Sequence, residues 1–259
     1  MTPEEAKVLL AGDFGKELHK NACAYCHPIF WAVRDKEGFW KIQANGTAFV
    51  LDCGKGPFLV TAAHVYEGYL SDLGKFPRRV FGSLGSVPFR MEQRLIACLG
   101  WKRLDVATFT ISDRDIVESG KNVLVGDQKS WPPNPVKVGV GVLFAGFPGH
   151  ERIEKQPDLE CNFGLYSAIT PVSSVSDRHF GCAFERSEWL DTMGHGLPEE
   201  GYDLGGVSGC AVLELKESPA GVVSWSLAGI GYNVSSALGQ IFLAHHARVL
   251  NPDGTLNEP

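Results

Sequence analysis

The sequence predicts an all-β chain arranged as two barrels, with a short helix at each end. Two observations carry this. From about residue 28 onward, short apolar runs alternate with turns rich in Gly, Pro, Asp and Asn, a spacing that fits a sandwich or a barrel. A polar stretch ending in Trp131-Pro132-Pro133-Asn134-Pro135 splits these runs into two halves, and two strand-rich halves joined by a linker fit two barrels. No self-similarity at a period of roughly 20 to 50 residues points instead to a solenoid.

Pro3 to Asn21 reads as an amphipathic helix, with Ala6, Leu9, Leu10 and Leu18 near helical spacing. Thr2 followed by Glu5 resembles a capping box at its start. Strands are then expected at Ile29 to Arg34, Phe39 to Gln43, Thr47 to Asp52, Phe58 to Thr61, Arg94 to Cys98 and Ala107 to Ile111. Beyond the linker, strands are expected at Val136 to Phe144, Asn162 to Ile169, Cys182 to Glu185, Ala211 to Leu215, Gly221 to Gly229 and Gln240 to Ala244. A C-terminal helix is expected to start over His245 to Leu250. The organisation is therefore a helical extension over 1–27, a first barrel over 28–118, a linker over 119–135, and a second barrel with its C-terminal segment over 136–259.

The totals exclude several classes. At 44% hydrophobic and 21% charged residues the composition is that of a globular protein. A formal net charge of -6 leaves no basic field for nucleic acid. No apolar run approaches a membrane span, so neither nucleic acid nor membrane is an expected partner. Glu4, Glu5, Asp13 and Glu17 interrupt the N-terminal segment, which therefore does not read as a secretory signal. Seven cysteines is an odd number, and without an export signal they read as thiols in a reducing compartment. The expected location is cytoplasmic, where the sequons at Asn45 and Asn233 carry no meaning.

Three short motifs carry the chemistry: Thr61-Ala62-Ala63-His64, Leu104-Asp105-Val106-Ala107 and Gly206-Val207-Ser208-Gly209. A serine hydroxyl is a weak nucleophile at neutral pH and needs a base within hydrogen-bond reach. A histidine in that role needs a carboxylate to fix its tautomer and stabilise the imidazolium. His64 follows the apolar strand Phe58 to Thr61, and Ala62 and Ala63 allow close packing where the imidazole is presented. Asp105 is embedded among Leu104, Val106 and Ala107, where a carboxylate is costly without a partner. Asp113 and Asp115 are weaker rivals because their surroundings are polar. Around Ser208, glycines let the backbone turn sharply and aim the N–H groups of Gly206 and Ser208 at one point, as an oxyanion needs. His64 and Asp105 lie in the first half and Ser208 in the second, so the three can meet only across a cleft.

On these residues the chain resembles the chymotrypsin-like (trypsin-like) serine peptidases, which use the same order of His, Asp and Ser. Gly46 to Leu51 followed by Phe58 to His64 is similar to that family's strand pair leading to its histidine. Gly146-Phe147-Pro148 resembles a turn common in the bacterial members. Gly206 to Gly209 matches the nucleophile loop, and Gly221 to Ile230 the strand after it. The resemblance runs from about Ile29 to Leu250. It implies a bacterial-type member with two six-stranded antiparallel barrels and peptide-bond hydrolysis through an acyl-enzyme, without a cofactor. It further implies a protein or peptide substrate, with a regulatory protein as a further partner.

Departures from the family pattern bear on activation and specificity. Val207 stands where digestive members have an aspartate that pairs with a newly cut N-terminus, so that activation route is not expected. Cys210 stands where many members have glycine. Tyr202, six residues before Ser208, occupies the place of the usual base of the primary specificity pocket, with Asp203 one residue off and Gly229 as a further pocket residue. His245 and His246 are read as the start of the C-terminal helix. Cys23-Ala24-Tyr25-Cys26-His27 matches the haem-attachment spacing, and Cys23, Cys26 and His27 could contribute to a zinc site. Two thiols where the helix meets the first strand are the favoured reading, with no metal bound. The expected activity is thus a serine endopeptidase acting on a restricted protein substrate. The alternatives are a latent or inactive member acting as a binding module, and a metal-binding protein.

Overall fold

In the computed structural model, residues 3–100, 102–155, 159–184, 188–199, 201–217, 221, 223–235 and 240–258 are described. The N-terminal helix is two helices, α1 (Pro3–Ala11) and α2 (Asp13–Ala24), because Gly12, a poor helix residue, stands between them in extended conformation. The expected capping box falls on Thr2, outside the described residues.

The first sheet is built from β1 (His27–Arg34), β2 (Trp40–Asp52), β3 (Pro57–Thr61), β4 (Val80–Leu84), β5 (Val87–Pro88), β6 (Leu95–Leu99), β7 (Val106–Thr110) and β8 (Val123–Val125). Between β3 and β4 lies α3 (Ala63–Lys75), and between β7 and β8 lies α4 (Asp113–Ser119). The second sheet holds β9 (Gly141–Gly146), then, past a separate hairpin of β10 (Arg152–Lys155) and β11 (Glu160–Phe163), β12 (Tyr166–Pro171) and β13 (Ser174–Val175). It is completed by β14 (His179–Phe184), β15 (Ala211–Glu217), β16 (Val223–Ser235) and β17 (Gln240–His246).

The two sheets share one topology. The first runs β5-β4-β1-β2-β3-β7-β6 and the second β12-β9-β15-β16-β17-β14-β13. With the longer strands of each half numbered one to six, both are the ring 1-2-3-6-5-4, cut at different places. The first ring is cut between strands consecutive in sequence, β5 and β6, joined by the short turn Met91–Gln93. The second is cut between β12 and β14, where the Ser173 N–H donates to the Gly181 carbonyl at 2.8 Å and the Thr170 hydroxyl to the Ala183 carbonyl at 3.3 Å. The expected two-barrel, all-β architecture is therefore observed.

The apolar runs are continuous because several strands are buried on both faces. Val50 and Leu59 point into the first barrel beside Phe109 and the α3 residues Val65, Tyr66 and Tyr69. Their neighbours Phe49, Leu51, Phe58 and Val60 face the other way, against Leu143, Ala145, Ala211 and Leu213 of the second half. This alternation follows from the two-residue period of a strand. Inside the second barrel the rings of Phe144 and Phe242 stack at 4.0 Å.

The two ends of the chain are exchanged. Helix α2 buries Leu18 and Ala22 in the layer between the barrels, and the Cys26 thiol donates to the Ala145 carbonyl of β9 at 3.0 Å. The C-terminal segment returns to the first barrel, where the Thr108 hydroxyl donates to the Gly254 carbonyl at 2.6 Å and Arg103 pairs with Glu258 at 2.6 Å. The expected C-terminal helix is only a single 3-10 turn, Ala247–Val249, because His245 and His246 complete β17. Part of the stretch 119–135 is likewise not linker: Val123 to Val125 pair in parallel with Val50 to Asp52.

Two buried imidazoles tie stability to pH. His27 opens β1 and His245 lies near the end of β17. Burial pushes each from 6.5 down to about 4, with Lys121 adding to the effect at His27. The unfolded chain therefore takes up protons near pH 6.5 that the folded chain refuses until about pH 4. The contribution of these two groups is full above the upper value, falls as pH drops through this window, and levels off below it. Each imidazole is expected to cost on the order of 2 kcal/mol between pH 7 and pH 5. Urea midpoints at the two pH values check this, and a flat profile would refute it.

Candidate active site

Strand β3 ends at Thr61 and the chain passes through Ala62 into α3, so His64 is the second residue of a helix. The first N–H groups of a helix have no partner within it, and Ala62 has no side chain to cap them. Asp105 supplies the acceptor from the turn before β7, the strand paired with β3. Its Oδ1 accepts the His64 backbone N–H at 2.9 Å, and its Oδ2 accepts the His64 Nδ1–H at 2.8 Å. One carboxylate thus caps the helix, where its charge is favoured, and orients the imidazole. A carboxylate at Nδ1 places the proton there and leaves the lone pair on Nε2.

Asp105 lies in the turn before β7, not within a strand, and has φ 50°. This conformation is uncommon outside glycine, and Asp and Asn tolerate it best. The turn is closed by the Gly100 carbonyl, which accepts the N–H groups of Arg103, Leu104 and Asp105 at 2.8, 3.1 and 3.2 Å. From the second half, Arg178 Nη2 donates to the Arg103 carbonyl at 3.2 Å. Asp115 is occupied elsewhere, in the capping box of α4 with Ser112 and in an ion pair with Arg94.

Ser208 sits in a loop that docks on the first barrel. Its carbonyl accepts the Thr47 N–H at 2.9 Å, and the following Gly209 N–H donates to the Gly231 carbonyl at 2.7 Å. Gly209 packs directly on Thr47, the Thr61 hydroxyl and the Ala62 backbone nitrogen. The serine loop therefore rests on the segment that leads into His64. The Ser208 hydroxyl donates to the Tyr232 carbonyl at 3.2 Å rather than to the His64 imidazole. Among the described residues, the N–H groups of Gly206 and Ser208 donate to no protein acceptor.

Of the three expected pocket residues, Tyr202 and Asp203 are neighbours in the loop before Ser208, and Gly229 lies in β16. Tyr202 packs edge-on against His150, with ring centroids 4.5 Å apart, and donates its hydroxyl to Glu151 at 2.6 Å; burial and Glu151 push its pKa up. Asp203 is exposed and closes a turn by accepting the Gly205 N–H at 2.8 Å. Gly229 is buried in the second sheet, paired with Val212 and His246, with the His245 carbonyl and the Phe180 ring against its α-carbon.

The cysteines offer no rival chemistry. Burial pushes the Cys210 thiol, two residues from Ser208, up to about 12, so it does not ionise at neutral pH. Cys26 is also buried, with its thiol raised by burial and committed to the carbonyls of Ala22 and Ala145. Among the described residues no group of three or more His, Cys, Asp or Glu is placed to hold a metal ion, so Cys23, Cys26 and His27 do not form the zinc site weighed from their spacing. Sequence reasoning missed Tyr232 as a partner of Ser208, and it missed helix α3. The apolar residues Val65, Tyr66 and Tyr69 were the available signal for that helix.

No family model and no curated protein matches the chain. Among solved structures it is similar to the serine protease domain of the Sesbania mosaic virus polyprotein, at 13% identity over 86% of this chain and 88% of that one, with a TM-score of 0.43. A second Sesbania mosaic virus structure, from work on aromatic interactions in the coupled folding and binding of the intrinsically disordered VPg protein, also aligns. It does so at 13% identity over 86% of this chain and 85% of that chain, with a TM-score of 0.43.

Proposed function

We propose that the chain is a trypsin-like serine endopeptidase that hydrolyses peptide bonds through an acyl-enzyme. The observation that carries this reading is the double engagement of His64 by Asp105, which leaves the lone pair on Nε2, while the loop that bears Ser208 packs on the segment leading into His64. In this reading the Ser208 hydroxyl leaves the Tyr232 carbonyl, gives its proton to His64 Nε2 and attacks the substrate carbonyl. The N–H groups of Gly206 and Ser208 stabilise the oxyanion. His64 then protonates the leaving amine, and water repeats the sequence on the acyl-enzyme to release the acid and restore Ser208.

The substrate is a protein or peptide of restricted choice, and Tyr202, Asp203 and Gly229 remain the proposed specificity residues. The bacterial affinity rests on Gly146-Phe147-Pro148. A cytoplasmic setting is supported by seven cysteines that are all free thiols. No helix among the described residues is long and apolar enough to cross a membrane.

The bond from Ser208 to Tyr232 favours a second reading, a latent protein that binds without turnover until a regulatory protein turns the hydroxyl to His64. Labelling by a fluorophosphonate probe separates the two. The endopeptidase reading expects a labelled wild type and an unlabelled Ser208→Ala variant. No labelling of folded wild type would overturn it in favour of latency. Casein cleaved at many sites would refute restricted choice.

A further inference from the structure

We infer that Thr47 is the positioning residue of the oxyanion loop, and that its contacts hold the loop ready in the intact chain without an activating cleavage. This rests on the serine-peptidase reading above.

An oxyanion site needs amide N–H groups left free and the neighbouring carbonyls turned away, since a carbonyl swung into the site would repel the developing charge. Each carbonyl from residue 204 to residue 208 is tied. The Leu204 carbonyl accepts the Val207 N–H at 3.0 Å, that of Gly205 accepts the Gly149 N–H at 2.7 Å, and that of Val207 accepts the Cys210 N–H at 3.2 Å. The other two go to one residue: the Gly206 carbonyl accepts the Thr47 hydroxyl at 2.8 Å, and the Ser208 carbonyl accepts the Thr47 N–H at 2.9 Å. Among the described residues, neither of the two amides required for an oxyanion, those of Gly206 and Ser208, donates to a protein acceptor.

Thr47 is fully buried in β2 and uses all its polar atoms. Its hydroxyl oxygen also accepts the Phe147 N–H at 3.0 Å, and its carbonyl accepts the Thr61 hydroxyl at 2.6 Å. Asn45, two residues earlier, braces the same turn, with Nδ2 donating to the Phe147 carbonyl at 2.8 Å and Oδ1 accepting from Arg152 at 3.1 Å. Residues 45 and 47, which form a glycosylation sequon on paper, are thus the seat of the second barrel's nucleophile loop. Gly206 has φ 102°, which glycine adopts without penalty. Val207 stands where an activation ion pair would need a carboxylate, and it is buried in the core of the second barrel. The loop is anchored by packing and by Thr47, and Val207 offers no carboxylate to a new N-terminal charge.

The test compares Thr47→Val, which keeps the shape and removes the hydroxyl, with Thr47→Ser, which restores it. The readout is fluorophosphonate labelling resolved into the inactivation rate constant and probe affinity, with thermal melting to confirm folding. Thr47→Val is expected to lower the rate constant about 100-fold at unchanged probe affinity, and Thr47→Ser to stay within about threefold of wild type. Intact mass of the labelled wild type is expected to equal the uncleaved chain plus one probe. If Thr47→Val does not fold, Thr47→Ala, which also removes the hydroxyl from the Gly206 carbonyl, serves instead. Folded variants labelled at the wild-type rate would overturn the role of Thr47. Label found only on a cleaved chain would overturn readiness in the intact one. Failure of the underlying reading looks different: wild type unlabelled, or Ser208→Ala labelled like wild type, whatever residue 47 is.

Discussion

Asp105→Asn is expected to slow labelling of Ser208 by about 10³- to 10⁴-fold while leaving the protein folded. The fold is expected to survive because asparagine tolerates the left-handed conformation that Asp105 adopts at φ 50°. Its side-chain oxygen can still accept the His64 backbone N–H, as Oδ1 does now at 2.9 Å, so α3 keeps its cap. The amide nitrogen then faces His64 Nδ1, where Oδ2 stands at 2.8 Å. An NH₂ group donates, so Nδ1 must accept and the ring proton moves to Nε2. The base is lost through the wrong tautomer, with little change in packing. Comparing labelling rates and urea midpoints of the two proteins checks this. A variant labelled within tenfold of wild type would remove Asp105 from the mechanism, and a collapse of stability would make its role chiefly that of a helix cap.

Gly209→Ala is expected to destabilise the fold by about 3 kcal/mol or more, with labelling lost alongside. Gly209 has φ 92°, a conformation that costs a side-chain-bearing residue about 1–2 kcal/mol. The larger cost is contact. An alanine Cβ would lie 2.1 Å from the Thr47 carbonyl oxygen, 2.4 Å from the Thr61 hydroxyl and 2.8 Å from the Ala62 nitrogen. Two of these are backbone atoms of β2 and of the segment entering α3, and they cannot move without parting the two barrels. Gly56→Ala is the matched control, since Gly56 has φ 97° with open space around it and should cost only the conformational share. Urea midpoints of both variants check the difference, and equal losses would show that close approach at Gly209 contributes nothing.

Legibility in the sequence followed the range of the interaction. Strands β3, β7 and β15 were readable because Phe58-Leu59-Val60, Val106-Ala107 and Ala211-Val212-Leu213 carry their apolar signal locally. The long β2 was read as two strands because Ala44, Asn45 and Gly46 interrupt that signal, although pairing with β1 continues across them. Helix α3 was hidden because its cap is not a neighbouring Ser or Asp but the carboxylate of Asp105, 41 residues away. The end of β17 was taken for a helix because two histidines carry no strand signal, while pairing with Gly229 and Ile230 sets their backbone.

The sequence by itself determined the two-barrel class and the order and local settings of His64, Asp105 and Ser208, because strand periodicity and turn residues act between near neighbours. Only the tertiary structure decided which of these groups touch. Asp105 meets His64 as both cap and orienter, Ser208 rests on the Tyr232 carbonyl, and Thr47 holds two carbonyls of a loop from the opposite barrel. Those contacts join residues 24 to 161 positions apart, and no local pattern encodes them. Ring closure of each sheet and the packing between the sheets bring them within hydrogen-bond reach.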